Sequence, residues 1–322
     1  MLEGARALVH TPAEMMTSYL AWVEDIQATP GVKFGIPAID KFVTPMRPGE
    51  LTAIVGRPGS GKSTLLAYLA RQEAKRIIQR GKVGQEVVVY VTWEQSAEEL
   101  TAMFLAGDQY SISDVAWGRV DLDTVRHQVV KGAGTPIWTI GHGISRAGTR
   151  PPRMTPRIIL DAIETMEEDF NVKPVLMLFD YLQLIPVENA KDRIQQVTEV
   201  PILIKELALR IGCPAIAAAQ ARREVDDRDE KLPTARDCQW SSAIEQTVSK
   251  LFSVWRPGVT EQAGSIIKLQ GGKTYPVNDQ LFIIRMLKQR GEQGRHTWAM
   301  YFHPAYLRLA ELETRLDLRR ET

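Results

Sequence analysis

The 322-residue sequence is poor in the residues that hold small secreted domains and metal-binding modules together. It contains two cysteines, Cys213 and Cys238, and five scattered histidines. Two cysteines cannot form a disulfide framework, and their separation does not match the spacing of zinc ligands. The sequence therefore predicts a reduced protein with no metal site built from histidine and cysteine.

Long apolar runs and a signal-peptide pattern are also absent. No hydrophobic stretch approaches the roughly 20 residues of a transmembrane helix, and the first residues lack the pattern of a secretory leader. The formal net charge is +1, so no overall field attracts the chain to nucleic acid or to a membrane. We therefore expect a cytoplasmic protein with no membrane partner, in which any site for a polyanion is a local patch.

The sequence instead has the composition and the patterning of a folded α/β domain. Hydrophobic residues make up 44% of it and charged residues 25%, which suits a substantial core. Short, nearly continuous apolar runs are typical of strands buried on both faces, and these lie at residues 51–55, 87–92, 175–179 and 215–219. Helical segments follow them from about residues 62, 96, 156 and 193. This alternation predicts a mostly parallel sheet flanked by helices.

Three segments are predicted along the chain. Residues 1–32 contain a short helix, which begins at a capping box formed by Thr11 and Glu14. Residues 33–304 form the α/β domain, which includes further strands at 251–255, 281–287 and 298–302. Residues 305–322 are predicted to be a charged helical tail. The first helix is too short to be a domain, so we expect it to pack on the main body or on a neighbouring subunit.

One segment has the complete pattern of a phosphate-binding P-loop. Glycines let the backbone curl around phosphate oxygens, and the following helix adds the positive end of its dipole. The pattern predicts that Lys62 contacts the β- and γ-phosphates of a nucleoside triphosphate and that the Ser63 hydroxyl binds Mg²⁺. The predicted nucleotide-binding residues are Gly56, Arg57, Pro58, Gly59, Ser60, Gly61, Lys62, Ser63 and Thr64.

Three polar residues end predicted strands, at the edge of the sheet where α/β proteins bind ligands. Asp180 follows the run 175–179 and is the candidate Mg²⁺ ligand beside Ser63. Glu94 follows the run 87–92 and is a candidate base for the attacking water, although position alone fits a solvated glutamate equally well. Gln220 follows the run 215–219 and is a candidate sensor of the γ-phosphate.

Together these elements resemble the RecA-like motor domain of the DnaB family of replicative helicases. The most specific phrase is Phe179-Asp180-Tyr181-Leu182-Gln183-Leu184, which is similar to the family's Walker B segment. The other matching phrases occur in the family's order, at residues 35–40, 47–51, 93–96, 99–100, 219–222, 243–246 and 288–291.

The resemblance implies a ring, usually a hexamer, with ATP and Mg²⁺ held between subunits. Glu94 is then the general base, and Gln220 couples the nucleotide state to the position of the DNA strand. Lys288 and Arg290 act on the γ-phosphate in the next subunit, where an arginine is worth about 10³- to 10⁵-fold in related NTPases. Single-stranded DNA and a loader or another replication protein are the implied partners.

Two departures from the family pattern affect this interpretation. About 30 residues precede the motor domain, so the family's N-terminal collar and its primase contacts are not expected; the first helix is similar in position to the linker helix that members dock on their neighbours. The family's central-channel loop corresponds to residues 237–243 of this sequence. Gln239 stands there where the family usually has an arginine, and Ser242 stands where it usually has a glycine. Gln239 can still donate to phosphate, and Trp240 fits stacking on a base and packing in its own subunit equally well.

Other basic residues are weaker candidates for DNA contacts. Arg222 and Arg223 follow Gln220 and are well placed for a channel, but the stretch from residue 224 to 237 is rich in acidic residues. Four arginines occur between residues 142 and 157 without an acidic residue. That pattern fits a loop that contacts phosphates or a partner's acidic surface or, more simply, a solvated connection.

Two functions are compatible with the sequence. The leading hypothesis is an ATP-dependent helicase of DnaB type that translocates on single-stranded DNA and unwinds duplexes. The alternative is a nucleotide-gated assembly or loading factor that forms oligomers without unwinding DNA. A recombinase-like filament fits less well, because the phrases around Asp180 and Arg290 are those of the DnaB family.

Overall fold

The structure of this protein is a computed structural model, which describes residues 9–29, 31–105, 110–143, 153–187, 193–238, 241–291 and 296–312. The side chains of residues 193, 194, 196, 197, 241 and 242 are not included in that description. Among the described residues, no helix is long and apolar enough to cross a membrane.

Helices and strands alternate through the first two-thirds of the domain, as predicted. The helices are α1 Pro12–Ala28, α2 Pro37–Asp40, α3 Lys62–Gln79, α4 Ala97–Leu105, α5 Ile112–Ala116, α6 Leu122–Gly132, α7 Pro156–Phe170, α8 Arg193–Ile211, α9 Ser241–Thr247 and α10 Pro257–Thr260. The strands are β1 Leu51–Gly56, β2 Glu86–Thr92, β3 Ile137–Ile140, β4 Lys173–Asp180, β5 Ala215–Gln220, β6 Lys250–Trp255, β7 Ile266–Lys268, β8 Thr274–Pro276, β9 Leu281–Gln289, β10 Thr297–His303 and β11 Arg308–Glu311.

Within the described residues, nine of these strands form one sheet in the order β11-β10-β9-β6-β1-β5-β4-β2-β3. The six from β6 to β3 run parallel, whereas β9, β10 and β11 are antiparallel to their neighbours. The predicted mostly parallel sheet with flanking helices is confirmed. Strands β7 and β8 form a separate antiparallel pair.

The sheet is buried on both faces because alternate residues of its central strands enter two different cores. Ile54 of β1 belongs to the cluster that includes Leu65 and Leu66 of α3. Ala53 and Val55 belong to the opposite cluster, together with residues of α7 and α8. Burial on both faces explains why these strands appear in the sequence as continuous apolar runs.

Helix α1 has the predicted N-terminal cap. The Thr11 hydroxyl accepts from the amide of Glu14 at 3.3 Å, and the Glu14 carboxylate accepts from the amide of Thr11 at 2.6 Å. None of its residues is buried. The Arg47 side chain donates to the carbonyls of Ile26 and Thr29 near its end. Packing of α1 on the main body is thus limited, and docking on a neighbour stays a prediction.

The prediction of a helical tail from residue 305 is wrong for the part of this segment that the structure describes. Pro304–Tyr306 form a 3₁₀ turn, and Leu307 has a φ of 48°, which an α-helix does not accommodate. Strand β11 then pairs with β10 and buries Leu309. Pairing satisfies the backbone and covers an apolar side chain, so the sheet extends past the predicted boundary at 304. The remaining residues of the predicted tail, 313–322, lie outside the description.

Candidate nucleotide-binding site

The P-loop joins the end of β1 to the start of α3, in the strand–loop–helix order that the sequence predicted. Two glycines are required by its geometry. Gly61 has a φ of +86°, and a Cβ on Gly56 would lie 2.2 Å from the Ser60 hydroxyl oxygen. No side chain in the described part of the chain caps the N-terminus of α3. The amide groups of its first turn are therefore available to an anion, aided by the helix dipole.

The Lys62 side chain lies across this loop. Its Nζ donates to the carbonyl oxygens of Gly56 at 3.0 Å and Arg57 at 2.9 Å. Burial lowers the pKa of Lys62 to about 8, although the negative charges of Asp180 and Glu94 oppose that shift. A buried ammonium group hydrogen-bonded to neutral carbonyls is well suited to an anionic ligand, because such a ligand offsets the cost of desolvation.

Asp180 ends β4 and lies beside the P-loop, 1% exposed. The Tyr90 hydroxyl of β2 donates to its Oδ2 at 3.1 Å. Burial raises the pKa of Asp180, an effect opposed by the Ser63 and Tyr90 side chains and by the Lys62 ammonium. The peptide bond from Asp180 to Tyr181 is cis.

The residues around Asp180 fit a Mg²⁺ ion. Its Oδ1 is buried and has no hydrogen-bond partner among the described residues. A buried carboxylate oxygen without a partner is costly unless a cation or donor satisfies it. Carboxylate and hydroxyl oxygens are ligands that Mg²⁺ prefers, and it typically takes one or two carboxylates together with nucleotide phosphates.

Glu94 is exposed at the mouth of this site, in a turn that follows β2. The Thr92 hydroxyl fixes the turn, because it accepts from the Gln95 amide at 3.1 Å. The Trp93 indole donates to the carbonyl of Met154 at 3.2 Å. These contacts direct Glu94 into the cavity that Lys62 and Asp180 also line.

Gln220 ends β5, and a buried side chain holds its backbone. The Gln183 carboxamide, 3% exposed, accepts from the Gln220 amide at 3.2 Å and donates to the Gln220 carbonyl at 3.3 Å. This contact fixes the point at which the Gln220 side chain leaves the strand.

Lys62, Ser63, Glu94, Asp180 and Gln220, all predicted for nucleotide chemistry, line one cavity of about 450 Å³, a volume within the usual range for ligand sites. It is lined by Pro58, Gly59, Gly61, Lys62, Ser63, Thr64, Glu94, Asp180, Tyr181, Gln220 and Arg256. Of the predicted P-loop residues, Gly56, Arg57 and Ser60 do not line it.

Sequence reasoning missed Arg256 and Tyr181 as lining residues. Arg256 follows β6, which runs parallel to β1, so both strands end at the same edge of the sheet. Its guanidinium lies 5.9 Å from the centre of the Phe302 ring, and its buried Nε has no partner among the described residues. The signal in the sequence was an arginine directly after an apolar run. That arginine could be assigned to the site only once β6 was known to lie beside β1.

Arg57 points away from the cavity and ties the P-loop to the segment after Gln220. Its Nε lies 2.9 Å from both carboxylate oxygens of Asp226, and its Nη1 donates to the carbonyl of Ala221 at 2.9 Å. The same segment contains Arg222 and Arg223, both exposed. Near the end of this segment, the Asp237 carboxylate accepts from both Nη atoms of Arg228 at 2.6 Å.

Lys288 and Arg290 lie at one end of the sheet's strands, and the P-loop lies at the other end. Gln289 pairs with Lys250, and Lys250 pairs with Thr52 near the start of β1, whereas the P-loop follows the end of β1. The five residues from Thr52 to Gly56 span about 13 Å. Arg290 is exposed, and Lys288 donates to the carbonyl of Glu245 in α9. The structure does not bring these two residues to the cavity of their own subunit.

The remaining candidates for DNA contact are described only in part. Gln239 and Trp240 lie outside the described residues, as does most of the arginine-rich stretch at 142–157. The backbone at Ser242 belongs to α9, which also contains the family-like phrase at residues 243–246. Contacts of these residues with DNA stay predictions.

Comparison with solved structures shows the same fold. A solved ATPase domain superimposes with a TM-score of 0.73 over 94% of this chain and 99% of that chain, at 16% identity. A DnaB-like replicative helicase, from a study of its interactions with primase, gives a TM-score of 0.72 over 94% of this chain and 67% of that chain, also at 16% identity. At this identity the likeness concerns the fold alone.

Sequence comparison finds relatives that share the name replicative DNA helicase DnaB. The replicative DNA helicase DnaB of Mycoplasma genitalium is 26% identical over 233 residues, which are 70% of this chain and 46% of the relative. That of Rickettsia conorii is 25% identical over 306 residues, 88% of this chain and 58% of the relative. The chain thus spans about half the length of the relatives it matches.

The family model described as the DnaB-like helicase C-terminal domain matches residues 31–311. That range includes the P-loop, Asp180, Gln220 and the strand that ends at Lys288 to Arg290. The chain therefore belongs to the family of DnaB-like helicase C-terminal domains.

Proposed function

We propose that this protein is an ATP-dependent DNA helicase of DnaB type, in which ATP hydrolysis drives translocation on single-stranded DNA and duplex unwinding. One observation carries the proposal. Lys62, Ser63, Glu94, Asp180 and Gln220 come from four different strand ends and converge on one cavity of nucleotide size. Phosphate binding alone needs only the P-loop, whereas hydrolysis also needs groups that hold a metal ion and orient water.

Each of these side chains has a distinct role in the proposed reaction. The first-turn amides of α3 and the Lys62 ammonium bind the phosphates. Glu94 accepts the proton of the water that attacks the γ-phosphorus. Gln220 donates to a γ-phosphate oxygen and transmits its presence to the segment after β5. Arg256, placed beside the P-loop at the same edge, contacts the nucleotide on the side away from Glu94.

Ser63 and Asp180 would hold the Mg²⁺ ion. When bound, it would supply positive charge that offsets the negative charge of the phosphates. The buried Oδ1 of Asp180, which has no protein partner among the described residues, supports this assignment.

Lys288 and Arg290 act on the nucleotide of the next subunit. Their position at the end of the strands opposite the P-loop supports action on a neighbour rather than within one subunit, in a head-to-tail arrangement of identical subunits. Closure of that arrangement gives a ring, which we take to be a hexamer as in the family. The exposed apolar side chains of α1 dock on a neighbour in this assembly; these are Met15, Met16, Tyr19, Leu20 and Trp22.

Single-stranded DNA passes near the segment after Gln220 and the start of α9. Arg222, Arg223, Gln239, Trp240 and Ser242 are the proposed contacts, with phosphates for the polar side chains and base stacking for Trp240. A loader or another replication protein is the proposed further partner.

A forked-duplex unwinding assay tests this function, with ATPase activity measured in the presence and absence of oligo-dT. We expect unwinding, together with ATPase activity that single-stranded DNA stimulates. Lys62→Ala should lower turnover at least about a hundredfold, whereas Lys273→Ala in the exposed β7–β8 hairpin should match the unmodified protein. Near-normal hydrolysis by Lys62→Ala would refute the assigned site. ATPase activity without unwinding would favour a nucleotide-gated assembly factor.

A further inference from the structure

The Tyr90 hydroxyl is a buried polar group that the proposed reaction does not use. Tyr90 is 0% exposed in the middle of β2, a strand whose other central residues are valines. Its ring packs edge-on against Phe104 of α4, with ring centres 5.7 Å apart. A phenylalanine would satisfy that packing, so the hydroxyl needs a separate explanation.

Among the described residues, the strong hydrogen-bond partner of this hydroxyl is the Asp180 carboxylate. The distance to Oδ2 is 3.1 Å, whereas the carbonyl oxygen of Ser63 lies 3.5 Å away, at the limit of a hydrogen bond. The phenol has one hydrogen atom to donate. It therefore goes to the carboxylate, and a charged acceptor makes this the stronger bond.

The bond divides the two oxygens of Asp180 between two tasks. Oδ2 is occupied by the Tyr90 hydroxyl, while Oδ1 is buried without a partner among the described residues. A carboxylate fixed at one oxygen cannot rotate freely about its Cβ–Cγ bond, so its other oxygen keeps one direction. Groups that orient metal ligands in this way typically contribute about ten- to hundredfold in metal affinity.

We propose that Tyr90 is a positioning residue that orients Asp180 for Mg²⁺, an inference that rests on the nucleotide site described under the proposed function. Tyr90 does not touch the nucleotide or the ion. It acts through Asp180, and it presents Oδ1 to the ion beside the Ser63 hydroxyl.

Nucleotide binding measured against free Mg²⁺ tests this role without relying on turnover. The whole chain is titrated with a fluorescent, non-hydrolysable ATP analogue in EDTA and then at increasing free Mg²⁺. We expect Tyr90→Phe to need about ten- to hundredfold more Mg²⁺ for half-maximal enhancement of binding. Its affinity for the analogue in EDTA should equal that of the unmodified protein, because the P-loop is unchanged.

Two variants serve as controls. Tyr110→Phe removes the hydroxyl of another buried tyrosine, outside the site, and should show the unmodified Mg²⁺ dependence. Phe104→Leu disturbs the packing of the Tyr90 ring but keeps its hydroxyl, so it should also leave the Mg²⁺ dependence unchanged. Tyr90→Phe retains the aromatic ring and its contact with Phe104. Circular dichroism establishes that each variant is folded.

Three results would overturn the inference. An unchanged Mg²⁺ midpoint in Tyr90→Phe would show that Asp180 is oriented without the hydroxyl. If Tyr90→Phe lost as much affinity for the analogue in EDTA as it loses with Mg²⁺, Tyr90 would support the P-loop through Ser63 instead. Addition of Tyr90→Phe to Asp180→Asn should cause no further change, so an additive effect would also contradict the role. Failure of the unmodified protein to bind the analogue with Mg²⁺ would refute the proposed function itself, and this inference with it.

Discussion

The side-chain amide of Gln183 pairs with both backbone groups of Gln220, at 3.2 Å and 3.3 Å. Gln183 lies in the 3₁₀ turn that follows Asp180, and Gln220 ends the neighbouring strand. One buried side chain thus joins the segment that holds the proposed metal ligand to the segment that holds the proposed phosphate sensor.

Gln183→Leu should separate these two segments while keeping the volume of the side chain. The two Gln220 backbone groups then lose their partner, which we expect to cost about 1–3 kcal/mol in the free energy of unfolding. ATPase activity should fall because Gln220 is no longer fixed at the cavity. Urea unfolding and steady-state turnover measure the two effects. Gln262→Leu, in an exposed loop, is the matched control, and equal behaviour of the two variants would contradict the role of Gln183.

Nucleotide binding should be accompanied by proton uptake at mildly alkaline pH. Burial lowers the pKa of Lys62 to about 8, so above pH 8 the amine of the free protein is largely neutral. A bound phosphate stabilises the ammonium form and raises this pKa, which requires a proton from solvent. Affinity should then fall as the pH rises above 8, by at most about tenfold per pH unit.

Calorimetry at about pH 8.5, in buffers of different ionisation enthalpy, measures this uptake. Lys62→Met should abolish it, because methionine has no proton to gain. Identical binding enthalpies in all buffers with the unmodified protein would contradict the coupling between Lys62 and the nucleotide.

Mixing two inactive variants should restore ATPase activity if the site is shared between subunits. Glu94→Gln lacks the proposed base, and Arg290→Ala lacks the proposed finger, yet an interface between them can contain both intact groups. Activity should therefore peak near an equal ratio of the two. The activity of a mixture of Lys288→Ala and Arg290→Ala should lie between the activities of the two variants at every ratio, because every interface then lacks one finger. Activity that is independent of the mixing ratio would exclude a shared site.

Asp226→Asn should loosen the segment after Gln220 from the P-loop. The change weakens the contact with the Arg57 guanidinium, whose Nη2 lies 2.7 Å from the carboxylate. Asp226 is 42% exposed, so the cost in global stability should stay below about 1 kcal/mol. Amide hydrogen exchange should nevertheless become faster across residues 221–238. Asp227→Asn, at the adjacent exposed position, is the control; equal exchange rates in both variants would count against the contact.

Local rules were sufficient to predict the P-loop, the positions of the buried strands along the chain, and Lys62, Ser63, Asp180, Glu94 and Gln220 as site candidates. The complete pattern of a glycine-rich turn between an apolar run and a helix is typical of phosphate binding, so the P-loop could be identified without a structure. Parallel strands also end at a common edge, so polar residues that follow them meet there. Helical periodicity also predicted α1, and the capping box of Thr11 and Glu14 predicted where it begins.

The residues that complete the site from distant parts of the chain could be identified only from the folded molecule. Arg256 reaches the cavity because β6 lies parallel to β1, and Lys288 and Arg290 are excluded from it because β9 runs the opposite way. The bonds from Tyr90 to Asp180 and from Gln183 to Gln220 depend on which strands are neighbours. Residues 308–311 became strand β11 rather than part of a helix because an open sheet edge beside β10 satisfied their backbone. Strand order and direction are non-local, and no local pattern in the chain encodes them.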